Sequence, residues 1–230
     1  MTVTIDNMVA IKKKRKTLPI YSIPDYPDPT FHIMIVATGR PCLLNLLISL
    51  RDELTEDDAI TIIFDGVGTF EQSTFNHRWL KGHESTINIV KQLVPLGEYG
   101  IRNQYQTTLK KRTTFIMHAN DEDVYVERSF HELRNRCFAP YTLYIANMLL
   151  PLANLVIPPF TQTIIQKNKI GTACGIIPFD RAGDGVWIYH ETGDFEYYNT
   201  LQNYVELVSF ISIPIYQLSD SMKNVRFLTN

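Results

Sequence analysis

Apolar residues in this chain fall into short unbroken blocks that end abruptly in polar or glycine-bearing stretches, and one segment instead repeats its leucines at three- and four-residue spacing. The blocks 31–37, 60–64 and 114–117 are rich in β-branched and aromatic residues, the pattern of core strands, and 86–93 is a third strand candidate between the last two. Between the first two, Leu43, Leu46, Leu47, Leu50 and Leu54 predict a helix over 42–54, with Pro41 in the first turn, where it is tolerated. Further helices are expected up to about residue 110 and over 127–137. Strands alternating with helices predict an α/β fold with a mostly parallel N-terminal sheet and helices on both faces. The second half reads as a mixed region with antiparallel pairs: strands at 141–149, 152–157, 161–166 and 186–189, then a helix over 195–210. No boundary divides 31–216, so one domain is expected. Before it, prolines at 19, 24, 27 and 29 predict an extended lead-in over 1–30.

The fourth strand runs into Asp121-Glu122-Asp123, so three carboxylates meet at a strand's carboxyl end. Like charges at ~5 Å and an effective dielectric of ~20 repel by roughly 3 kcal/mol per pair, which water or a cation must relieve. Mg²⁺ or Mn²⁺ would do so, because these hard ions take oxygen ligands and accept one or two carboxylates beside a substrate's phosphates. An acidic surface turn capping the next helix reads the same triplet without chemistry.

Other strand ends carry polar groups where a parallel sheet presents ligands. The first block leads into Thr38-Gly39-Arg40-Pro41 and the second into Asp65-Gly66, which suits a base or ribose and equally a bare turn. Gly97 and Gly100 precede Arg102, and an open first helical turn there would let its guanidinium face an anion. Residues 171–175 (Gly171, Thr172, Ala173, Cys174, Gly175) form a small-residue loop. His190, Glu191 and Asp194 cluster before the last helix, where Asp194 is also a natural N-cap. His77 and His83 lack the partners of a zinc site.

Composition narrows the function. The chain holds 22 basic and 24 acidic residues in 230, so no overall field points to nucleic acid or an anionic membrane; the basic run 12–16 reads as a solvated tail. Cys42, Cys137 and Cys174 fit reduced thiols in a cytoplasm better than a disulfide framework. No secretion signal is recognisable, and the most apolar window, 143–160, is broken by Pro151, Pro158 and Pro159, which speaks against a membrane span.

In order, these motifs are Thr-Gly-Arg-Pro, Asp-Gly, Gly-Ile-Arg-Asn, Asp-Glu-Asp, Gly-Thr-Ala-Cys-Gly and Thr-Gly-Asp. The series resembles GT-A-fold nucleotide-sugar glycosyltransferases, the small family-2-like type also met in large DNA viruses. The resemblance covers roughly 31–210 and implies one GT-A-like, Rossmann-like domain, with a nucleotide-binding half at about 31–125 and an acceptor half at about 126–216. It implies that Thr38, Arg40 and Asp65 line the nucleotide pocket with Arg102 beside it. Asp121 would face the ribose, and Asp123, with Asp121, would hold Mn²⁺ or Mg²⁺ on the diphosphate. The 171–175 loop would border sugar and acceptor, and Asp194 would be the catalytic base, with His190 and Glu191 as the other candidates. A UDP-sugar would be the donor and a hydroxyl on a glycan or glycoprotein the acceptor.

Two departures matter. Gly193-Asp194 replaces the family's common Glu-Asp, and the Gln-x-x-Arg-Trp of processive synthases is missing, since Arg78-Trp79 lies ahead of the acids and lacks the Gln. Transfer of one sugar at a time is therefore expected. A nucleotidyltransferase would use a similar sheet and acidic loop but a more glycine-rich phosphate loop, and a non-catalytic sugar-nucleotide or glycan-binding module would bind without turnover.

Overall fold

The computed structural model describes residues 27–66 and 86–218. The first 26 residues, the basic run 12–16, Gly68, His77, Arg78, Trp79 and His83 lie outside them.

Every residue of Phe31–Ala37 (β1) is buried, which requires cover on both faces of the sheet. That cover comes from alternate side chains of one strand. Phe31, Ile33, Ile35 and Ala37 join the large core with Leu43, Leu46, Leu47 and Leu50 of helix α1 (Leu43–Arg51). Met34 and Val36 point the other way, to Ile101 of helix α2 (Gly97–Tyr105). Each buried leucine contributes about 1.5–3 kcal/mol. Helices thus lie on both faces, as the alternation of blocks predicts.

β1 pairs in parallel with Ala59–Asp65 (β2) on one side and Phe115–Asn120 (β4) on the other, and β2 pairs in parallel with Ile87–Gln92 (β3). The remaining strands are Val124–Tyr125 (β5), Thr142–Leu150 (β6), Leu155–Ile157 (β7), Gly175–Pro178 (β8) and Leu207–Gln217 (β9). Together they form one sheet in the order β3-β2-β1-β4-β8-β6-β9-β5, with β7 on β6. β8 runs antiparallel to both β4 and β6, and β9 runs parallel to β6. A parallel half and a mixed half therefore share one sheet.

Buried Asp58 fixes the base of this frame. Its carboxylate accepts the Phe31 amide at 2.8 Å and the Thr55 amide at 2.8 Å, and it pairs with Arg134 of helix α3 (Ser129–Arg136). Glu53 accepts the amides of Arg128 and Phe130 at the start of α3, groups that a helix leaves without internal partners.

Three elements differ from the sequence expectation. Residues 161–166 form no strand: Gln162 folds the segment on itself by donating to the Ile164 carbonyl at 2.9 Å. Residues 186–189 are irregular, because Asn103 stands in for a neighbouring strand, donating to the Trp187 carbonyl at 2.7 Å and accepting its amide at 2.8 Å. The helix expected over 195–210 is Gly193–Leu201 (α4), and the β-branched run after it becomes β9. No described helix is long and apolar enough to cross a membrane.

Gly175 shows how tightly the mixed half is packed. A Cβ there would stand 2.2 Å from Cε1 of Tyr198 and 2.5 Å from its hydroxyl oxygen, and Tyr198 is fully buried. Gly175→Ala should therefore cost about 1–3 kcal/mol of stability, read as a lower denaturation midpoint at unchanged slope. A neutral result would mean that Tyr198 has room to move.

Candidate active site

β2 flanks β1 on one side and β4 on the other, so the strand order reverses at β1 and the loops after β1 and β4 meet at the carboxyl edge. Ligands of open α/β sheets bind at such switch points. Here Asp121 bridges the two loops. Its side chain is 1% exposed; Oδ2 accepts the Thr38 amide at 2.8 Å and the Thr38 hydroxyl at 3.3 Å, and Oδ1 accepts Nη2 of Arg40 at 2.5 Å. Nη1 of Arg40 donates to Glu122 at 2.5 Å. The cation that the acid triplet requires is thus supplied by the chain itself. Burial works against the Arg40 charge, but the hydrogen bond and charge of Asp121 and the charge of Glu122 outweigh it and raise the guanidinium pKa.

Asn120, one residue before this pair, leads to the second cluster. Its Oδ1 accepts Nη2 of Arg102 at 2.6 Å. Arg102 does not occupy an open first turn, because α2 already begins at Gly97 and its first turn is over before residue 102. Its side chain is fully buried, with the guanidinium 5.6 Å from the Tyr99 ring centroid and 5.1 Å from that of Trp187. Such faces attract a cation, and Glu98 adds an ion pair at 3.2 Å. Among the described residues, Nε of Arg102 and both ring nitrogens of His118 are buried without hydrogen-bond partners, and Nη1 is the atom that faces Glu98. Burial, then the Arg102 charge, pushes the His118 pKa well down, so His118 stays neutral.

Asp194 lies across the Tyr99 ring system from Arg102. It is not the N-cap of α4; Thr192 holds that position and makes no side-chain cap bond. Instead Oδ1 of Asp194 accepts the Thr172 hydroxyl at 2.7 Å and the Tyr99 hydroxyl at 3.2 Å. Burial raises its pKa, against the hydrogen bond of Thr172 and the charge of Arg102. Raised carboxylate pKa values beside a crevice mark candidate acids and bases. His190 and Glu191 are exposed, and His190 is tied locally to the Thr192 hydroxyl at 3.1 Å.

The other expected residues divide clearly. Asp65 uses both oxygens on α2, accepting the amides of Leu96 at 2.7 Å and Gly97 at 2.8 Å. It therefore closes the helix N-terminus at the same carboxyl edge. Of residues 171–175 only Thr172 is accessible: Gly171, Ala173, Cys174 and Gly175 are buried. Gly171 lies against Met148, Gly175 lies against Tyr198, and burial pushes the Cys174 thiol up to about 12. These four pack the underside of the loop. Tyr99, Asn120 and Trp187 carry no motif and were not expected.

A divalent cation suits the acids chemically, since the donors are all oxygen. The described conformation is nevertheless closed to it. Asp121 is committed to Thr38 and Arg40, Glu122 to Arg40, and Asp123 is fully buried against the hydroxyl of Tyr216. Among the described residues no three His, Cys, Asp or Glu side chains converge to hold a metal.

No model of a known protein family matches this chain, and no curated protein sequence matches it. Solved structures do. S. aureus TarS 1-349 superposes with a TM-score of 0.62 at 12% identity, over 83% of this chain and 60% of that one. The same protein in complex with UDP-GlcNAc gives 0.61 at 11%, over 88% and 61%. GalNAc-T7 with UDP, GalNAc and Mn²⁺ gives 0.57 at 10%, over 85% and 44%. These are GT-A-type glycosyltransferases. At such identities they establish the fold, and this chain spans 44% to 61% of their lengths.

Two outcomes follow from the charges. Because the folded pKa of Asp194 is raised, the folded chain holds that proton more tightly than the unfolded one. Stability then falls as pH rises from about 3.9 through the folded value and levels off above it. Asp194→Asn should match the parent below about pH 4 and exceed it at neutral pH; denaturation across pH checks this, and an unchanged difference at both ends would refute it. Arg40→Ala should lower the melting temperature without metal and gain a Mn²⁺-dependent rise that the parent lacks. An equal response of the parent to Mn²⁺ alone would show that Arg40 is not the counter-ion.

Proposed function

We propose that this chain is a glycosyltransferase that moves a single hexosyl unit from a nucleoside-diphosphate sugar, preferably a UDP-sugar, to a hydroxyl of a glycan or glycoprotein. The observation that carries the reading is the pairing of two unlike carboxylate environments at one sheet edge. Asp121 is neutralised by Arg40 at the switch point, and Asp194, desolvated and raised in pKa, is reached from it through Asn120, Arg102 and Tyr99. One end suits an anionic leaving group and the other suits an acceptor proton. The structural neighbours support the substrate class, since TarS is seen with UDP and with UDP-GlcNAc and GalNAc-T7 with UDP, GalNAc and Mn²⁺. The narrower likeness to glycosyltransferases of large DNA viruses rests on motif order alone, and a cytoplasmic setting fits the three unbridged thiols.

In this reading Thr38 and Arg40 bind the donor's diphosphate side, with Asp65 and the amides it orders near the nucleoside. Arg40, released from Asp121 and Glu122, neutralises phosphate oxygens, and buried Arg102 adds fixed positive potential behind them. Mn²⁺ or Mg²⁺, held by Asp123 and Asp121 once Arg40 has moved, would neutralise charge on the departing diphosphate. Asp194 takes the acceptor hydroxyl's proton as its oxygen attacks the anomeric carbon and the nucleoside diphosphate leaves. This describes inversion in one step.

Incubation with UDP-, GDP- and dTDP-sugars and simple glycoside acceptors, with Mn²⁺ or with chelator, tests the reading. A UDP-sugar should be consumed with release of UDP, faster with Mn²⁺. Asp194→Asn should fold and bind donor normally yet lose roughly 10²-fold or more in transfer. Pyrophosphate release from UTP and a sugar phosphate would identify a nucleotidyltransferase instead, and binding without turnover a recognition module.

A further inference from the structure

The contacts of Asp194 are unequal between its two oxygens. Oδ1 accepts the Thr172 hydroxyl at 2.7 Å and the Tyr99 hydroxyl at 3.2 Å, while Oδ2 has no hydrogen-bond donor among the described residues. A carboxylate held this way cannot turn over without giving up both bonds, so one oxygen is fixed as the proton acceptor. We infer that Tyr99 and Thr172 form a clamp that positions Asp194 and leaves Oδ2 as its acting atom; the assignment rests on Asp194 being the base.

Both arms of the clamp are themselves held. Tyr99 stacks on Trp187 at 5.8 Å and 15°, beneath the Arg102 guanidinium. The backbone of Thr172 is pinned by the Tyr198 hydroxyl, which donates to its carbonyl at 2.5 Å. The approach of Tyr99 to α4 depends on Gly193, where a Cβ would stand 2.8 Å from Cε2 of Tyr99 and 2.2 Å from the Ile188 carbonyl oxygen. This gives a physical reason for the Gly-Asp in place of the expected Glu-Asp: a side chain before Asp194 would push away the tyrosine that holds it.

The clamp also sets the acidity of the group. Facing Asp194 are Glu98, Tyr99 and Arg102 from α2, Thr172 and Cys174 from the 171–175 loop, and Tyr198 from α4 itself. Burial and Glu98 favour the protonated form, whereas the two hydroxyl donors and Arg102 favour the carboxylate. Hydrogen bonds to a charged form lower its pKa, so the clamp opposes the rise that burial imposes on Asp194.

Carboxyl titration by ¹³C NMR on the full chain measures this directly, in the parent, Tyr99→Phe, Thr172→Val and Thr172→Ser. Loss of either hydroxyl should raise the Asp194 pKa by about one unit, and Thr172→Ser should restore it. Transfer assayed across pH should show its basic limb, the rise in kcat/KM as Asp194 ionises, move by the same amount, with donor KM unchanged. An unmoved titration in folded Tyr99→Phe and Thr172→Val would overturn the clamp. If the parent transfers no sugar, the proposed function fails while the titration still decides the clamp. If the parent transfers and Asp194→Asn does not, but neither clamp variant shifts titration or limb, the clamp alone falls.

Discussion

The carboxylate of Asp121 closes the switch point of the sheet, and the arrangement of the site follows from that closure. A buried anion costs several kcal/mol unless it is hydrogen-bonded and paired. Asp121 meets the requirement with an amide, a hydroxyl and a guanidinium, all from the three residues that follow β1. The bonds cross from the end of β4 to the end of β1, neighbouring strands in parallel register. Strand pairing brings the two ends together, and the carboxylate then determines how both loops leave them.

From there the charges are passed along by side chains and not by sheet hydrogen bonds. Asn120 touches Arg102, Arg102 lies against Tyr99 and Trp187, and Tyr99 reaches Asp194. Aromatic faces do two things along this path. They offset part of the cost of burying a guanidinium, and they exclude water from the side of Asp194 that faces the core, which is why burial dominates its raised pKa. A more hydrated Asp194 would be a weaker base at neutral pH, because its proton affinity would fall toward that of a free carboxyl.

The parallel half was legible because β1, β2 and β4 are continuous apolar blocks that the fold buries and α1 repeats leucine at helical spacing, whereas β3, at the edge, mixes Asn88, Lys91 and Gln92 into its run and is only half covered. That Thr38, Arg40 and the acid triplet would meet was legible for a similar reason: polar residues immediately after neighbouring buried strands share one sheet edge. The mixed half was less so. The segment around Trp187 has the composition of a strand, yet a single asparagine side chain satisfies its backbone, and no local pattern reports a partner 84 residues away. Residues 207–217 join the sheet through β6, with a register shift between Ile145 and Asn147 and another between Asn147 and Met148, so helical and strand periods compete in the sequence until pairing decides. Tyr99 and Asn120 escaped notice because their roles come from what they touch across the fold.

Arg40 holds together what the sequence suggested and what the structure adds. Asp121 and Glu122 of the acid triplet are met by a cation of the chain itself, and that cation, 46% exposed on the loop after β1, is also open to solvent. Its two carboxylate partners and an incoming diphosphate compete for the same planar set of donors, a group whose fork geometry fits either. One guanidinium cannot fully serve both, so a phosphate bound there would compete with Asp121 and Glu122 for Arg40. Arg40 carries one positive charge against the two carboxylates it holds, so the cluster keeps net negative charge even while the guanidinium ties its loops together.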